Sequence, residues 1–479
     1  LEGAWELLDE PVILWDLEDP DYAFMGTFPV AGDLDGDKRT EYVVARSNPY
    51  TRDTRLAVFN IEDGSILWER QLDWFFDWAA PVITDLDNDG QLDLVYAEAH
   101  GDGPFNPSPK IVALKGDDGS LIWQQKLQAG GQGMTVADLN KDGWVEIIIT
   151  IKSSPRQLLL LNGQDGSQIW SRISGSNYGI PTTADVNDDG NLEILFHHHY
   201  HVSGETLFDR LVALDFQGHE LWAFSAASTA EQEANAPPEL GYMPCDEARA
   251  PTVADFNADG QLEIGWGARC QYYLLGLDGK QIWSTPTNIE GWGYHVYLND
   301  DGSPYESQSI HGTGGLEKFG AIGNIDQDPA LEIVFPLWPE YRALQYIPSG
   351  DLVIERIVPS NVIWALDGAD GSLQWIFEGE YIDSYDPEKM FDPILVDLTG
   401  DGILDVLAVS LDRHLYAIHG ATGEQLLAYF FYPPPPYEAI HLTFVPDQDR
   451  GIVLFTWHRR GQFYTLTALH IADRVPSTP

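Results

Sequence analysis

Seven segments of this chain repeat the pattern D-x-[DN]-x-D-G-x-x-[DE]: DLDGDKRTE from Asp33, DLDNDGQLD from Asp85, DLNKDGWVE from Asp138, DVNDDGNLE from Asp185, DFNADGQLE from Asp255, NIDQDPALE from Asn324 and DLTGDGILD from Asp397. Side-chain oxygens at i, i+2 and i+4 of a tight turn, joined by an acid at i+8, converge on one point, which suits a hard cation such as Ca2+. The predicted ligands are Asp33, Asp35, Asp37 and Glu41; Asp85, Asp87, Asp89 and Asp93; Asp138, Asn140, Asp142 and Glu146; Asp185, Asn187, Asp189 and Glu193; and Asp255, Asn257, Asp259 and Glu263. The sixth set, Asn324, Asp326, Asp328 and Glu332, opens on Asn and has Pro329 for the glycine; the seventh, Asp397, Asp401 and Asp405, has Thr399 at i+2. Those two are expected to be the weakest sites. An EF-hand is excluded, because its last ligand falls at i+11 between two helices, whereas here the i+8 acid opens a run of β-formers. The competing reading is that the acids only make Asx turns between strands.

The elements that must position these loops recur with them. After each loop comes a strand, then a strand, a glycine turn and a closing strand, as in LAVFNIEDGSILW, IVALKGDDGSLIW, LLLLNGQDGSQIW and VIWALDGADGSLQW. Four short strands per unit, with loop starts 52, 53, 47, 70, 69 and 73 residues apart, predict an all-β protein, a β-propeller of four-stranded antiparallel blades in one domain over residues 1–479. The C-terminal blade, 440–473, lacks a closing strand, and PVILWDLED (11–19) matches it. The ring is therefore expected to have eight blades, closed by the N-terminal strand; seven is the fallback.

Spread over the whole chain, these loops resemble the FG-GAP or VCBS-type calcium loops of integrin-like propellers. The resemblance implies several structural Ca2+ ions tying strand one to strand two of each blade. It also places much of the acid: 75 Asp+Glu stand against 26 Lys+Arg, a net charge of −49. That balance argues against nucleic acid and anionic membranes as partners, and 16 Trp, 21 Tyr and 20 Phe argue for a folded chain. No apolar run is long enough for a membrane span. The composition suits a secreted, extracellular or periplasmic monomer, and the start LEGAWELLDEP reads as processed or trimmed. The only cysteines, Cys245 and Cys270, lie in neighbouring loops and are a disulfide candidate.

Strand order puts every acidic loop on one face of the ring and every long connection on the other, where binding or catalysis is usually built. Most of the scarce basic residues map to that second face with aromatics beside them, which predicts a site for an acidic polysaccharide; Arg46, Trp78, Tyr200, Trp292, Tyr294, His295 and Arg342 are the candidate contacts. Within HHHYH, His197, His199 and His201 alternate with His198 and Tyr200. Three His on one side could hold a transition metal, and one neutral His beside Tyr could be a general base with its acid.

Calcium loops combined with the DGxxxW strands also resemble, more distantly, the propeller of rhamnogalacturonan lyases and, more loosely, propeller-type ulvan lyases, though no small β-domain precedes the propeller here. That resemblance implies β-elimination on a uronate polymer, with Arg249 or Arg269 neutralising the carboxylate, His100, His198 or His199 as base, and Tyr178 or Tyr242 as acid. A non-catalytic glycan-binding or adhesion propeller is the alternative. A third reading, a quinone-type dehydrogenase, rests on the likeness of ALDGADGSLQW to the docking repeats of those propellers.

Overall fold

The computed structural model describes residues 5–18, 23–24, 30–48, 51, 53–73, 80–98, 109–174, 179–200, 208–226, 250–268, 271–287, 314–315, 320–339, 342–346, 352–357, 362–379, 393–409, 414–430, 437–447, 450–459 and 464–474. These residues form eight blades of four antiparallel strands, with no helix among them. Blade one is typical: Val30–Gly32, Glu41–Ser47, Thr54–Asn60 and Ile66–Leu72, hydrogen-bonded in that order.

Position in the blade dictates what each strand is made of. Second strands are covered on both sides by neighbouring blades, so Glu41–Ser47, Asp93–Glu98 and Glu263–Ala268 are buried throughout. Outer strands have one wet face and alternate, as Ile66–Leu72 does. The core is accordingly divided: each of eight apolar clusters straddles two adjacent blades. Leu34, Val43, Val58 and Trp68 of blade one pack on Leu94, Tyr96, Val112 and Leu114 of blade two, and the last cluster joins Tyr42, Val44 and Phe59 of blade one to Val445, Ile452 and Leu466 of blade eight.

The expected closure is observed and is longer than 11–19. Strand Trp5–Glu18 forms the outer edge of blade eight beside Tyr464–Arg474, with Trp5 opposite Arg474 and Glu18 opposite Thr465, around two register shifts. Thr467 Oγ1 donates to Asp16 Oδ1 at 2.5 Å. Trp5, fully buried, packs edge-on against Phe444, and its backbone N–H donates to Asp397 O of blade seven at 3.0 Å.

A second ligature runs around the ring. The outer-strand Trp of one blade lies on the glycine turn of the next and donates its indole N–H to a carbonyl there: Trp68 to Gly116 (2.6 Å), Trp123 to Gly163 (2.8 Å), Trp170 to Phe216 (2.8 Å), Trp283 to Gly368 (3.1 Å), Trp375 to Gly420 (2.6 Å) and, across the closure, Trp15 to Ile61 (2.7 Å). Gly119 shows why the turn needs glycine: its φ is +67°, and a Cβ there would sit 2.7 Å from the Trp68 ring. Two positions depart from the rule. Trp222 stacks on Gly279 but its buried Nε1 has no partner among the described residues, and Leu427 stands where blade seven would carry its Trp.

Candidate metal centres and the opposite face

The acidic loops other than the sixth share one backbone design. Residues i+3 and i+5 turn left-handed, for example Asn88 (φ +58°) with Gly90 (+87°), and Ala258 (+56°) with Gly260 (+89°). The i carboxylate accepts the i+5 N–H, as from Gly143 to Asp138 and from Gly260 to Asp255, both at 2.9 Å. The i+4 carboxylate accepts the i+6 N–H, as from Gln91 to Asp89 at 2.9 Å. This much is the Asx-turn chemistry that needs no metal.

The i+8 acid is different, because it is inside. Glu41, Asp93, Glu146, Glu193, Glu263, Glu332 and Asp405 are at most 4% exposed. One oxygen of each accepts the N–H of residue i+1, from Leu34 to Glu41 at 2.7 Å through Leu398 to Asp405 at 2.9 Å. Burial raises all seven carboxyls, against the lowering pull of that hydrogen bond, and neighbouring loop acids add to the rise in every loop but the seventh: Glu41 and Glu332 go up to about 7 and Asp93 to about 6. A positive ion among them removes that cost.

The residue at i+2 decides how the second oxygen is met. Asn140, Asn187 and Asn257 turn their amides to Glu146, Glu193 and Glu263 at 3.1 Å. Aspartate cannot donate, and where Asp87 and Asp326 stand at i+2, Asp93 Oδ1 and Glu332 Oε1 are buried without a hydrogen-bond donor among the described residues. In the seventh loop, Asp405 Oδ1 accepts from Gly420 N–H at 3.1 Å. Oxygen atoms of Asp33, Asp35 and Asp37, of Asp85, Asp87 and Asp93, of Asp255, Asp259 and Glu263, and of Asp326, Asp328 and Glu332 each gather within 4.8 Å of one another. An all-oxygen set around an unsatisfied buried carboxylate fits a hard divalent cation. In the sixth loop, expected to be weak, Pro329 stands at i+5, and Asp326, Asp328 and Glu332 still lie within this reach.

On the opposite face the described basic residues are largely paired with acids. Arg46, 8% exposed, binds Glu69, as does Arg55, which also meets Asp53 at 3.0 Å. Lys110 lies 2.6 Å from Asp73 and 3.4 Å from Glu98. The histidine run is split by the pleat as expected: His197 is buried, 2.7 Å from Asp209 Oδ1 and beside Trp266, while His198 stacks on Phe196. Burial, then Arg210 and Arg172, pulls the His198 imidazole down to about 4. His197 Nε2 is engaged by Asp209. Of His199, Tyr200 and Arg342 only the strand backbone is described, in Glu193–Tyr200 and Arg342–Tyr346. His100, Tyr178, Tyr242, Arg249, Arg269, Trp78, Trp292, Tyr294, His295, His201, Cys245 and Cys270 lie outside the described residues.

The FG-GAP-like repeat family matches residues 33–96, 85–149 and 138–196, each match running from one acidic loop through the strand that follows the next. This chain carries FG-GAP-like repeats. No curated protein sequence matches it significantly. Among solved structures, it is similar to a europium-containing methanol dehydrogenase (TM-score 0.59, 11% identity, covering 96% of this chain and 93% of that one). It is also similar to the quinohemoprotein alcohol dehydrogenase from Comamonas testosteroni (TM-score 0.58, 13% identity, 98% and 78% covered) and to Sqt1 from Saccharomyces cerevisiae (TM-score 0.52, 10% identity, 99% of each). Likeness at this level of identity establishes the propeller fold and none of the chemistry. Among the described residues no helix is long and apolar enough to cross a membrane.

Proposed function

We propose that the chain is a calcium-stabilised, secreted propeller that uses one face of the ring as a metal-bound scaffold and the other to bind an acidic polysaccharide. The observation that carries the scaffold half is the row of buried i+8 carboxylates, among which Glu332 Oε1 is met by no described donor. Ca2+ between strands one and two would be held by the i, i+2, i+4 and i+8 side chains, and its charge would offset their burial. The binding half rests on topology: the long connections of blades four to six all leave from the face opposite the loops.

Within this reading the polymer is cleaved by β-elimination, and His198 is the candidate base whose side chain is described. His198, with its pKa pulled to about 4, is a neutral imidazole at pH 7 near Arg172 and Arg210. An uncharged imidazole can accept a proton, whereas both arginines are paired with Glu220, at 2.9 and 3.0 Å, so the substrate carboxylate would be met by other residues. Incubation with pectic, ulvan-like and glucuronate-containing polymers, with and without chelator, tests both halves. A rise in unsaturated-uronate absorbance that is lost in His198→Ala, with the fold intact, supports the lyase; binding with no rise on any polymer leaves the glycan-binding scaffold, and no binding to any of them overturns both.

A further inference from the structure

The seven loops are not equivalent, and the second holds a cation of its own. Lys115 lies directly across the sheet from Asp93. Its Nζ sits 2.6 Å from Asp87 Oδ2, 2.7 Å from Asp89 Oδ2 and 3.7 Å from Asp93 Oδ1. Three of the four acids that would ligate a metal in this loop therefore surround an ammonium group already bonded to the chain. The contact with Asp93 is made at the oxygen that has no hydrogen-bond donor, so Lys115 supplies charge there, while it gives proper hydrogen bonds to Asp87 and Asp89.

The same sheet position elsewhere holds no lysine. Asn60 faces Glu41, Asn162 faces Glu146, Gly276 faces Glu263 and Asp367 faces Glu332. Continuing the register from Ile194 opposite Leu214 puts Asp215 across from Glu193. In those five loops the i+8 acid is Glu. The second loop has Asp there, one methylene shorter, as does the seventh, where the facing residue is His419, 3.7 Å from Asp401. A shortened acid and a basic partner across the sheet thus occur together.

Building on the scaffold reading above, we infer that the Lys115 ammonium is the resident cation of the second loop and takes the place of the divalent ion there. Blade two would then keep its strand-one to strand-two tie when calcium is scarce, while the loops built on Glu depend on the ion. Lysine holds only one positive charge against four carboxylates, yet it needs no ion from solution and is held at the site by its own strand.

Bound calcium per chain, measured by equilibrium dialysis and elemental analysis after chelation and reloading, tests this. Lys115→Asn, which copies the residue at Asn60 and Asn162, is expected to bind one ion more than the wild type, and to melt lower than the wild type in chelator but recover in calcium. Asp87→Asn in the wild-type background is expected to leave the count unchanged, whereas Asp326→Asn lowers it by one. An equal count in Lys115→Asn and wild type, an unchanged melt in chelator, or loss of one ion on Asp87→Asn would each overturn the inference. A wild type that binds no calcium at all, with one ion gained in Lys115→Asn, would instead sink the scaffold reading and leave this one standing.

Discussion

On the proposed calcium-scaffold reading, removing the ion should make the stability of this protein fall as pH rises, the reverse of the usual behaviour of a protein held by paired carboxylates. Burial lifts Glu41 and Glu332 from 4.5 to about 7 in the metal-free fold. A group whose folded pKa is raised contributes stability that is fully present below its unfolded pKa, here about pH 4.5, and lost as pH climbs through 7. At about 1.4 kcal/mol per tenfold change in proton affinity, each site is worth about 3 kcal/mol between pH 4.5 and pH 8. The two lie in different blades without shared partners, so the sum is about 6 kcal/mol. An unfolding entropy of roughly 2 cal/mol/K per residue makes about 1 kcal/mol equal to about 1 °C for a chain of this length. Melting followed by Trp fluorescence in chelator should therefore drop about 6 °C from pH 5 to pH 8 through these two groups. Calcium should restore the loss at pH 8 and do less at pH 5, where Glu41 and Glu332 hold protons. The double variant Glu41→Gln, Glu332→Gln isolates the effect: it should flatten the slope in chelator. A slope unchanged in that variant would refute the assignment of the cost to these buried carboxyls.

Three further outcomes follow from the packing. Trp15→Phe removes the indole donor to Ile61 at the ring closure and should cost about 1–3 kcal/mol in chemical denaturation by leaving a carbonyl unmet. Gly119→Ala should be destabilising at the blade-one to blade-two interface, by more than the few tenths expected of a surface change, because the added methyl meets Trp68 in a left-handed turn; Trp68→Ala in the same chain should relieve part of that loss. Asp209→Ala removes one hydrogen-bond partner of buried His197 and should cost about 1–3 kcal/mol, with Asp209→Asn milder because it can still meet the imidazole.

The acidic spacing made the loops, the face they occupy and the ring closure readable before any coordinates, because all three follow from short-range periodicity. What the sequence concealed depends on register. Lys115 lies far from Asp85 along the chain, and only the pairing of its strand with Asp93 brings it into the loop. Glu69 and Glu220 neutralise Arg46, Arg55 and Arg210 from adjacent strands, so counting arginines on a face overstated its positive character. In the sixth loop proline for glycine alters the turn, while the buried Glu332 is fixed by the strand that follows.

Strand Trp5–Glu18 carries a kinetic consequence. Among the described strands it comes first in the chain and pairs with the one that comes last, so it has no sheet to join until that strand is made. Closing a loop of about 450 residues costs roughly 5 kcal/mol of chain entropy before any contact of blade eight repays it. Seven blades can stack as an open arc, each on the one before, but the arc keeps two apolar ends until its first strand finds its last. Final assembly is thus a single long-range event, and unfolding from the native ring is expected to begin by undoing it.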